Sequence, residues 1–116
     1  MSVLLTTREV GEVVLLDISG RLTVSDNTLR NAISQLLKAG KRQFVLKMND
    51  VSYVDSCGLG ELVSVYISVT NSGGTVKLLT PSEKVRALLT LTKLDSVFDI
   101  LENARPFTMK ANLPGS

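Results

Sequence analysis

The sequence predicts an α/β fold, a single domain with a mixed, mostly parallel β-sheet of four to five strands and helices packed against it. Three observations support this prediction. The chain has 116 residues, a length typical of one domain. Two β-rich segments separated by Gly11 open the chain. After them, segments with helical periodicity alternate with short apolar segments, as in parallel strands joined by helices.

The first half of the chain predicts two strands, a helix and a third strand. Residues 3 to 8 and 13 to 18 form a hairpin that turns near Gly11, and Gly20 ends its second strand. A helix begins at Ser25, which can cap it, and ends at Gly40. Residues 44 to 48 are almost continuously apolar and predict a strand that is covered on both faces.

The segment from 62 to 69 fits two structures. Alternating β-branched residues favour a strand, namely Val63, Val65, Ile67 and Val69. The segment also has a helical face that includes Leu59, Leu62, Val63, Tyr66, Ile67 and Thr70. We prefer the helix because Ser56 offers a cap, Gly73 offers an end, and two parallel strands need a crossover between them. On this helix Val65 and Val69 flank the buried face and either meet a neighbouring helix or stay as an apolar surface.

The rest of the chain predicts a strand at 76 to 79, a third helix capped by Ser82, and a final edge strand at 97 to 101. The predicted order is β-β-α-β-α-β-α, followed by a short β or α element. We expect one domain over residues 1–105 and a flexible tail over 106–116, with a short helix around 103 to 111 as an alternative.

Composition excludes several classes of function. A net charge of +2, from 13 Lys and Arg against 11 Asp and Glu, is too balanced for electrostatic binding of nucleic acid. The absence of His excludes a Ser-His-Asp triad and His-ligated metal, and the single Cys57 makes no internal disulfide. We therefore expect no cofactor and no metal. No segment predicts a signal peptide or a membrane span, so a cytoplasmic location is expected.

The segment from Asp55 to Gly60 carries the most information, because it follows a predicted strand and opens a helix. Asp55 or Ser56 can cap that helix, which alone is an ordinary structural role. Two glycines in the first turns still need a reason, since each costs about 1 kcal/mol relative to alanine. Glycine permits close approach of another backbone or a ligand, which points to a docking surface. Cys57 is interpreted as a small buried thiol.

The hexapeptide Asp55-Ser56-Cys57-Gly58-Leu59-Gly60 resembles the Asp-Ser-Ser/Thr/Ala-Gly-Leu/Ile-Gly motif of STAS domains, the fold shared by anti-sigma factor antagonists and sulfate-transporter tails. Other landmarks are similar in the same order: Gly20-Arg21-Leu22-Thr23 after the second strand, Gly73-Gly74-Thr75-Val76 at the fourth, and Pro81 with Val85 and Leu88 at the third helix. The resemblance covers about residues 3 to 102 and implies a STAS-like domain.

The resemblance also implies a function. In antagonists of this family, a serine kinase that is also the anti-sigma factor phosphorylates the Ser after the Asp. The unphosphorylated antagonist binds that kinase and frees the sigma factor, and a serine phosphatase later restores it. Ser56 would thus be the phosphoacceptor, and the chain would be a substrate rather than an enzyme. Neither nucleic acid nor a membrane is expected as a direct partner.

The expected docking surface comprises the Ser56 loop, its helix and the nearby second-strand end. Its residues are Arg21, Leu22, Thr23, Asp55, Ser56, Cys57, Gly58, Leu59, Gly60, Glu61 and Val65. Within it, Asp55 would orient the loop, and Gly58 and Gly60 would allow the kinase to approach closely.

Three other functions stay open at this point. The chain could be the small STAS subunit of a lipid-transporting ABC complex, packing against an ATPase without phosphorylation. It could be a scaffold component of a signalling assembly. A thiol-dependent enzyme using Cys57 is disfavoured, because no second catalytic group lies nearby in the sequence.

Overall fold

The computed structural model describes residues 4–23 and 28–101, and the predicted order of elements is confirmed. The elements are β1 (Leu4–Val10), β2 (Val13–Leu22), α1 (Thr28–Lys38), β3 (Gln43–Val54), α2 (Ser56–Asn71), β4 (Thr75–Leu79), α3 (Glu83–Leu91), a 3₁₀ turn (Leu94–Ser96) and β5 (Asp99–Leu101).

One five-stranded sheet has the spatial order β1-β2-β3-β4-β5. The β1–β2 hairpin is antiparallel, and Val10 pairs with Val13 on either side of the turn at Gly11. The pairs β2–β3, β3–β4 and β4–β5 are parallel, with α1, α2 and α3 as their connections. Each connection thus returns the chain to the same end of the sheet, so the carboxyl ends of β2 and β3 meet at one edge.

The main core lies between one face of the sheet and the helices. It joins the inward residues of β2, β3 and β4 to the buried faces of the three helices, including Leu16, Leu46, Leu78, Leu29, Leu62 and Leu89. Side chains alternate between faces along a strand. A smaller cluster on the opposite face accordingly uses the intervening positions Leu15, Val45 and Leu79.

Both central strands are longer than predicted. Gly20 does not end β2, which continues to Leu22 with register shifts between Asp17 and Ser19 and between Gly20 and Arg21. These irregularities let β2 keep pairing with β3 as far as Leu22 opposite Val54. The extra pairing brings the end of β2 beside the Asp55 segment. The predicted cap at Ser25, the boundary at 105/106 and the alternative helix at 103 to 111 fall outside the described residues.

The ambiguous segment is helical. Within α2, Val65 is 1% exposed and Val69 is fully buried, so both pack into the core rather than forming an apolar surface. Tyr66 meets the ring of Phe98 edge to face, with centroids 5.3 Å apart. Val65 and Val69 therefore contribute burial to a helix, which outweighs their preference for strands, whereas Ile67, expected on the helical face, is 50% exposed.

Candidate functional site

Asp55 forms the junction between β3 and α2. Its backbone N–H donates to the carbonyl of Leu22 at 3.4 Å, which extends the β2–β3 contact by one residue. Its backbone is extended, with φ −96° and ψ −177°, and its carboxylate accepts a 2.7 Å hydrogen bond from the N–H of Gly58. Its carbonyl accepts from the N–H of Leu59 at 2.9 Å, the first bond of the helix. Asp55, rather than Ser56, is therefore the N-cap.

Ser56 and Cys57 occupy the first helical positions, and both side chains are exposed. The exposure places the Ser56 hydroxyl within reach of another protein. The interpretation of Cys57 as a buried thiol is wrong. Capping by Asp55 starts the helix so that its first two side chains point away from the sheet, and the buried face begins only at Gly58.

The two glycines have different environments. A Cβ on Gly58 would lie 2.0 Å from the Leu22 carbonyl oxygen and 2.7 Å from its carbonyl carbon. The close approach that requires Gly58 is thus internal, between α2 and the end of β2. A Cβ on Gly60 would meet nothing within 4 Å. Contacts among residues 4–23 and 28–101 do not require glycine at position 60, which is exposed.

Arg21 and Tyr53 form an exposed pair beside this junction. They are register partners in β2 and β3, and the Arg21 guanidinium lies 4.6 Å from the centre of the Tyr53 ring. Tyr53 keeps 40% of its surface exposed, although sequence reasoning did not include it in the docking surface. Its only sequence signal is its position two residues before Asp55. Exposed arginine and tyrosine are residue types that often contribute most to protein interfaces.

Several residues that we expected to contact a partner are buried. Leu22 is fully buried, Val65 is 1% exposed and Gly58 is buried, so none of them offers a side chain to a partner. Thr23 and Leu59 are half-buried. Of the expected residues, Arg21, Ser56, Cys57 and Gly60 are exposed, with Tyr53 beside them, and Asp55, Thr23 and Leu59 are partly accessible.

Glu61 also departs from its expected role. It is 7% exposed, and its Oε2 accepts a 3.0 Å hydrogen bond from the backbone N–H of Arg30. Arg30 lies in the first turn of α1, where backbone N–H groups lack partners within the helix. Glu61 thus caps a neighbouring helix from α2 and holds the two helix starts together, instead of facing a partner.

Loss of the Asp55 cap gives a measurable effect on stability. Asp55→Ala is expected to lower the free energy of unfolding by about 1 kcal/mol, because the Gly58 N–H loses its acceptor. Asp55→Asn is the matched control, since its side-chain oxygen can still accept. Urea unfolding measures the free energy of unfolding of both variants. Equal losses for Asp55→Ala and Asp55→Asn would show that the hydrogen bond from Gly58 to the side chain at position 55 does not stabilise the domain.

Within residues 4–23 and 28–101, no group of three or more His, Cys, Asp or Glu side chains is arranged to hold a metal ion. In the same part of the chain, the helices are all too short or too polar to cross a membrane.

Comparison with known proteins agrees with this architecture. The family model of the STAS domain matches residues 5–107. The anti-sigma-B factor antagonist of Bacillus subtilis is 34% identical over 88 residues, which are 75% of this chain and 80% of that protein. A crystal structure of a candidate anti-sigma factor antagonist from Thermotoga maritima superposes with a TM-score of 0.80 at 29% identity and covers 92% of each chain.

The phosphorylated form of SpoIIAA, a Bacillus cell fate determinant, has the same fold, with a TM-score of 0.67 at 21% identity over 84% of this chain and 90% of that one. The family model spans nearly all described residues. The chain belongs to the STAS domain family.

Proposed function

We propose that this chain is an anti-sigma factor antagonist that works by partner switching. In its unphosphorylated form it binds an anti-sigma factor that is a serine kinase, and the sigma factor is released. The kinase then transfers the γ-phosphoryl group of ATP to the Ser56 oxygen, ADP leaves, and the hydroxyl proton passes to a base of the kinase. The phosphorylated chain dissociates, and a serine phosphatase restores it by hydrolysis.

The observation that carries this proposal is the exposed Ser56 at the start of α2 within the family motif. A hydroxyl acceptor must enter the active site of a kinase, and the residues beside Ser56 do not obstruct it, since Cys57 is exposed and Gly60 has no side chain. The similarity to the Bacillus subtilis antagonist supports the same role. In this proposal the chain acts in the cytoplasm as a substrate and binding partner rather than as a catalyst.

The position of Ser56 explains how a phosphate can change binding without unfolding the chain. A phosphate adds about −1.5 to −2 charges. Helix N-termini stabilise negative charge, and the first turn of α2 contains no acidic residue, so phosphorylation does not disrupt the helix. The energetic penalty of the phosphate therefore arises in the complex with the kinase. There the phosphate loses its hydrating water while it lies close to the Asp55 carboxylate.

Mapping the phosphorylation site tests the proposal. The tagged chain is used to isolate its partner from the source cells, and the purified partner is incubated with the chain and ATP. We expect intact mass to show one added phosphate, fragmentation to place it on Ser56, and Ser56→Ala to remain unmodified. Recovery of a transporter ATPase or a large homotypic particle, with no phosphate on Ser56, would contradict the proposal and favour the other STAS functions.

A further inference from the structure

The outer edge of β1 is exposed and unpaired. β1 is the first strand in the order of the sheet and pairs with β2 on one side, and within residues 4–23 and 28–101 no strand lies along its other side. All its residues are exposed except Leu5, which is half-buried. An open edge of this kind presents a row of backbone N–H and C=O groups that can pair with another strand.

The two edges of the sheet differ in how well they are protected against such pairing. Proteins commonly shorten an edge strand, interrupt it with a bulge, or place lysine or proline on it. β5, at the other edge, has only 3 residues. β1 has 7 residues without lysine or proline, and its register with β2 is uninterrupted from Leu4 to Val10. The edge of β1 is therefore the one suited to pair with another strand.

The turn at Gly11 determines which backbone groups of β1 point outward. Val10 closes a two-residue turn, and Gly11, the first residue of that turn, has φ 63°, as in a type II′ hairpin. The closing pair of such a hairpin exchanges backbone hydrogen bonds, and bonded and non-bonded pairs alternate along an antiparallel ladder. Val10 and every second residue before it thus bond to β2. Leu5, Thr7 and Glu9 direct their N–H and C=O groups to the open edge.

A second copy of β1 fits this edge in the antiparallel direction when Thr7 lies opposite the same residue of the other copy. Leu5 then lies opposite Glu9, so all the outward-facing residues of both strands form hydrogen-bonded pairs. Leu4, which is 66% exposed, lies opposite Val10, which is 37% exposed, and no like charges lie directly opposite each other. Pairing centred on Glu9 would instead place two carboxylates opposite each other. The edge is therefore complementary to itself.

We propose that β1 pairs with β1 of a second copy of this chain, so that two five-stranded sheets join edge to edge in a symmetric dimer. Because the two β1 strands are antiparallel, the two β2 strands also run in opposite directions. The two Ser56 sites then lie at opposite edges of the joined sheet. The contact does not include Ser56, so this inference is independent of the proposed function.

Sedimentation equilibrium of the full chain tests the dimer. A strand of 7 residues is about 24 Å long, which makes a small contact, so association should be weak. We expect the average mass to rise from 12.5 kDa toward twice that value as the concentration increases from about 10 μM to about 1 mM. A monomer throughout this range would overturn the proposal.

Substitutions at Thr7 test whether the β1 edge is the contact. Thr7→Pro should weaken association at least tenfold, because it removes the central N–H donor of each copy. That N–H points away from β2, so the hairpin keeps its own hydrogen bonds. Thr7→Lys, which retains the N–H, should weaken association several-fold by placing two like charges opposite each other. Thr75→Lys is the matched control at an exposed position of β4 and should stay within about twofold. Equal dissociation constants for the two lysine variants would show that the contact lies elsewhere.

Oxidative cross-linking tests the register, in a chain that also carries Cys57→Ala. Thr7→Cys places two thiols opposite each other in a hydrogen-bonded pair, whose Cα atoms are about 5.5 Å apart and within range of a disulfide. Glu9→Cys is the matched control on the same edge, because its two copies are about 14 Å apart along the strands. We expect a covalent dimer from Thr7→Cys and not from Glu9→Cys. Equal cross-linking of both variants would contradict the antiparallel register, and neither result depends on phosphorylation of Ser56.

Discussion

Gly58→Ala is expected to destabilise the domain by about 3 kcal/mol, near the upper part of the range for overpacked buried sites. The added Cβ would lie 2.0 Å from the Leu22 carbonyl oxygen, and that atom belongs to backbone rather than to a flexible side chain. The Leu22 carbonyl also accepts from the Asp55 N–H, and Leu22 pairs with Val54. Relief of the clash therefore requires α2 to move away from the sheet, which loosens the packing of Leu62 and Val65.

Gly60→Ala is the matched control two residues away. It adds the same methyl group to the same helix where nothing lies within 4 Å, so stability should rise by up to about 1 kcal/mol from helix propensity. If α2 and the end of β2 are in this close contact, urea unfolding shows a lower free energy of unfolding for Gly58→Ala and a higher one for Gly60→Ala. A Gly58→Ala variant as stable as the unmodified chain would contradict that contact.

Ser56→Asp should weaken binding of the partner kinase by tenfold or more, and phosphorylation should weaken it about a hundredfold. A like-charge pair about 4 Å apart costs about 1 kcal/mol in water and about 4 kcal/mol at an effective dielectric constant of 20. The difference of about 3 kcal/mol is the penalty for bringing the new charge and Asp55 into an interface, and 1.4 kcal/mol corresponds to a tenfold change in affinity. Titration calorimetry with the purified kinase measures the affinity of each form of the chain.

Two further variants separate charge from size. Ser56→Asn is neutral and has nearly the shape of Asp, whereas Ser56→Ala removes the hydroxyl, and both should bind more tightly than Ser56→Asp. Unfolding measurements should show Ser56→Asp as stable as the unmodified chain or up to about 1 kcal/mol more stable, because its charge lies at a helix N-terminus. Equal affinities for Ser56→Asp and Ser56→Asn would show that charge is not the switch.

The order of elements and the position of the functional loop follow from local features of the sequence. Helical spacing predicts α1, the continuous apolar run predicts β3, and Ser82 is the observed cap of α3, accepting from the Val85 N–H. The motif at Asp55–Gly60 lies where the pattern changes from strand to helix. The same local information leaves α2 ambiguous, because the preference of its valines for strands opposes its cap and its helical face. The need for a crossover between the parallel strands β3 and β4 decides it.

Burial inside the domain is decided by contacts between elements far apart in the sequence. Position 58 requires glycine because a Cβ there would clash with the backbone carbonyl of Leu22. The Glu61 carboxylate accepts a hydrogen bond from a backbone N–H in α1. Val65 is 1% exposed because it packs into the core that includes Leu29 and Ile33 of α1. Cys57 is exposed because the Asp55 cap sets the rotation of the helix. The sequence by itself thus determines which segment carries the chemistry. Only the tertiary structure decides which of its side chains face a partner, because that depends on how the helices and the end of β2 pack.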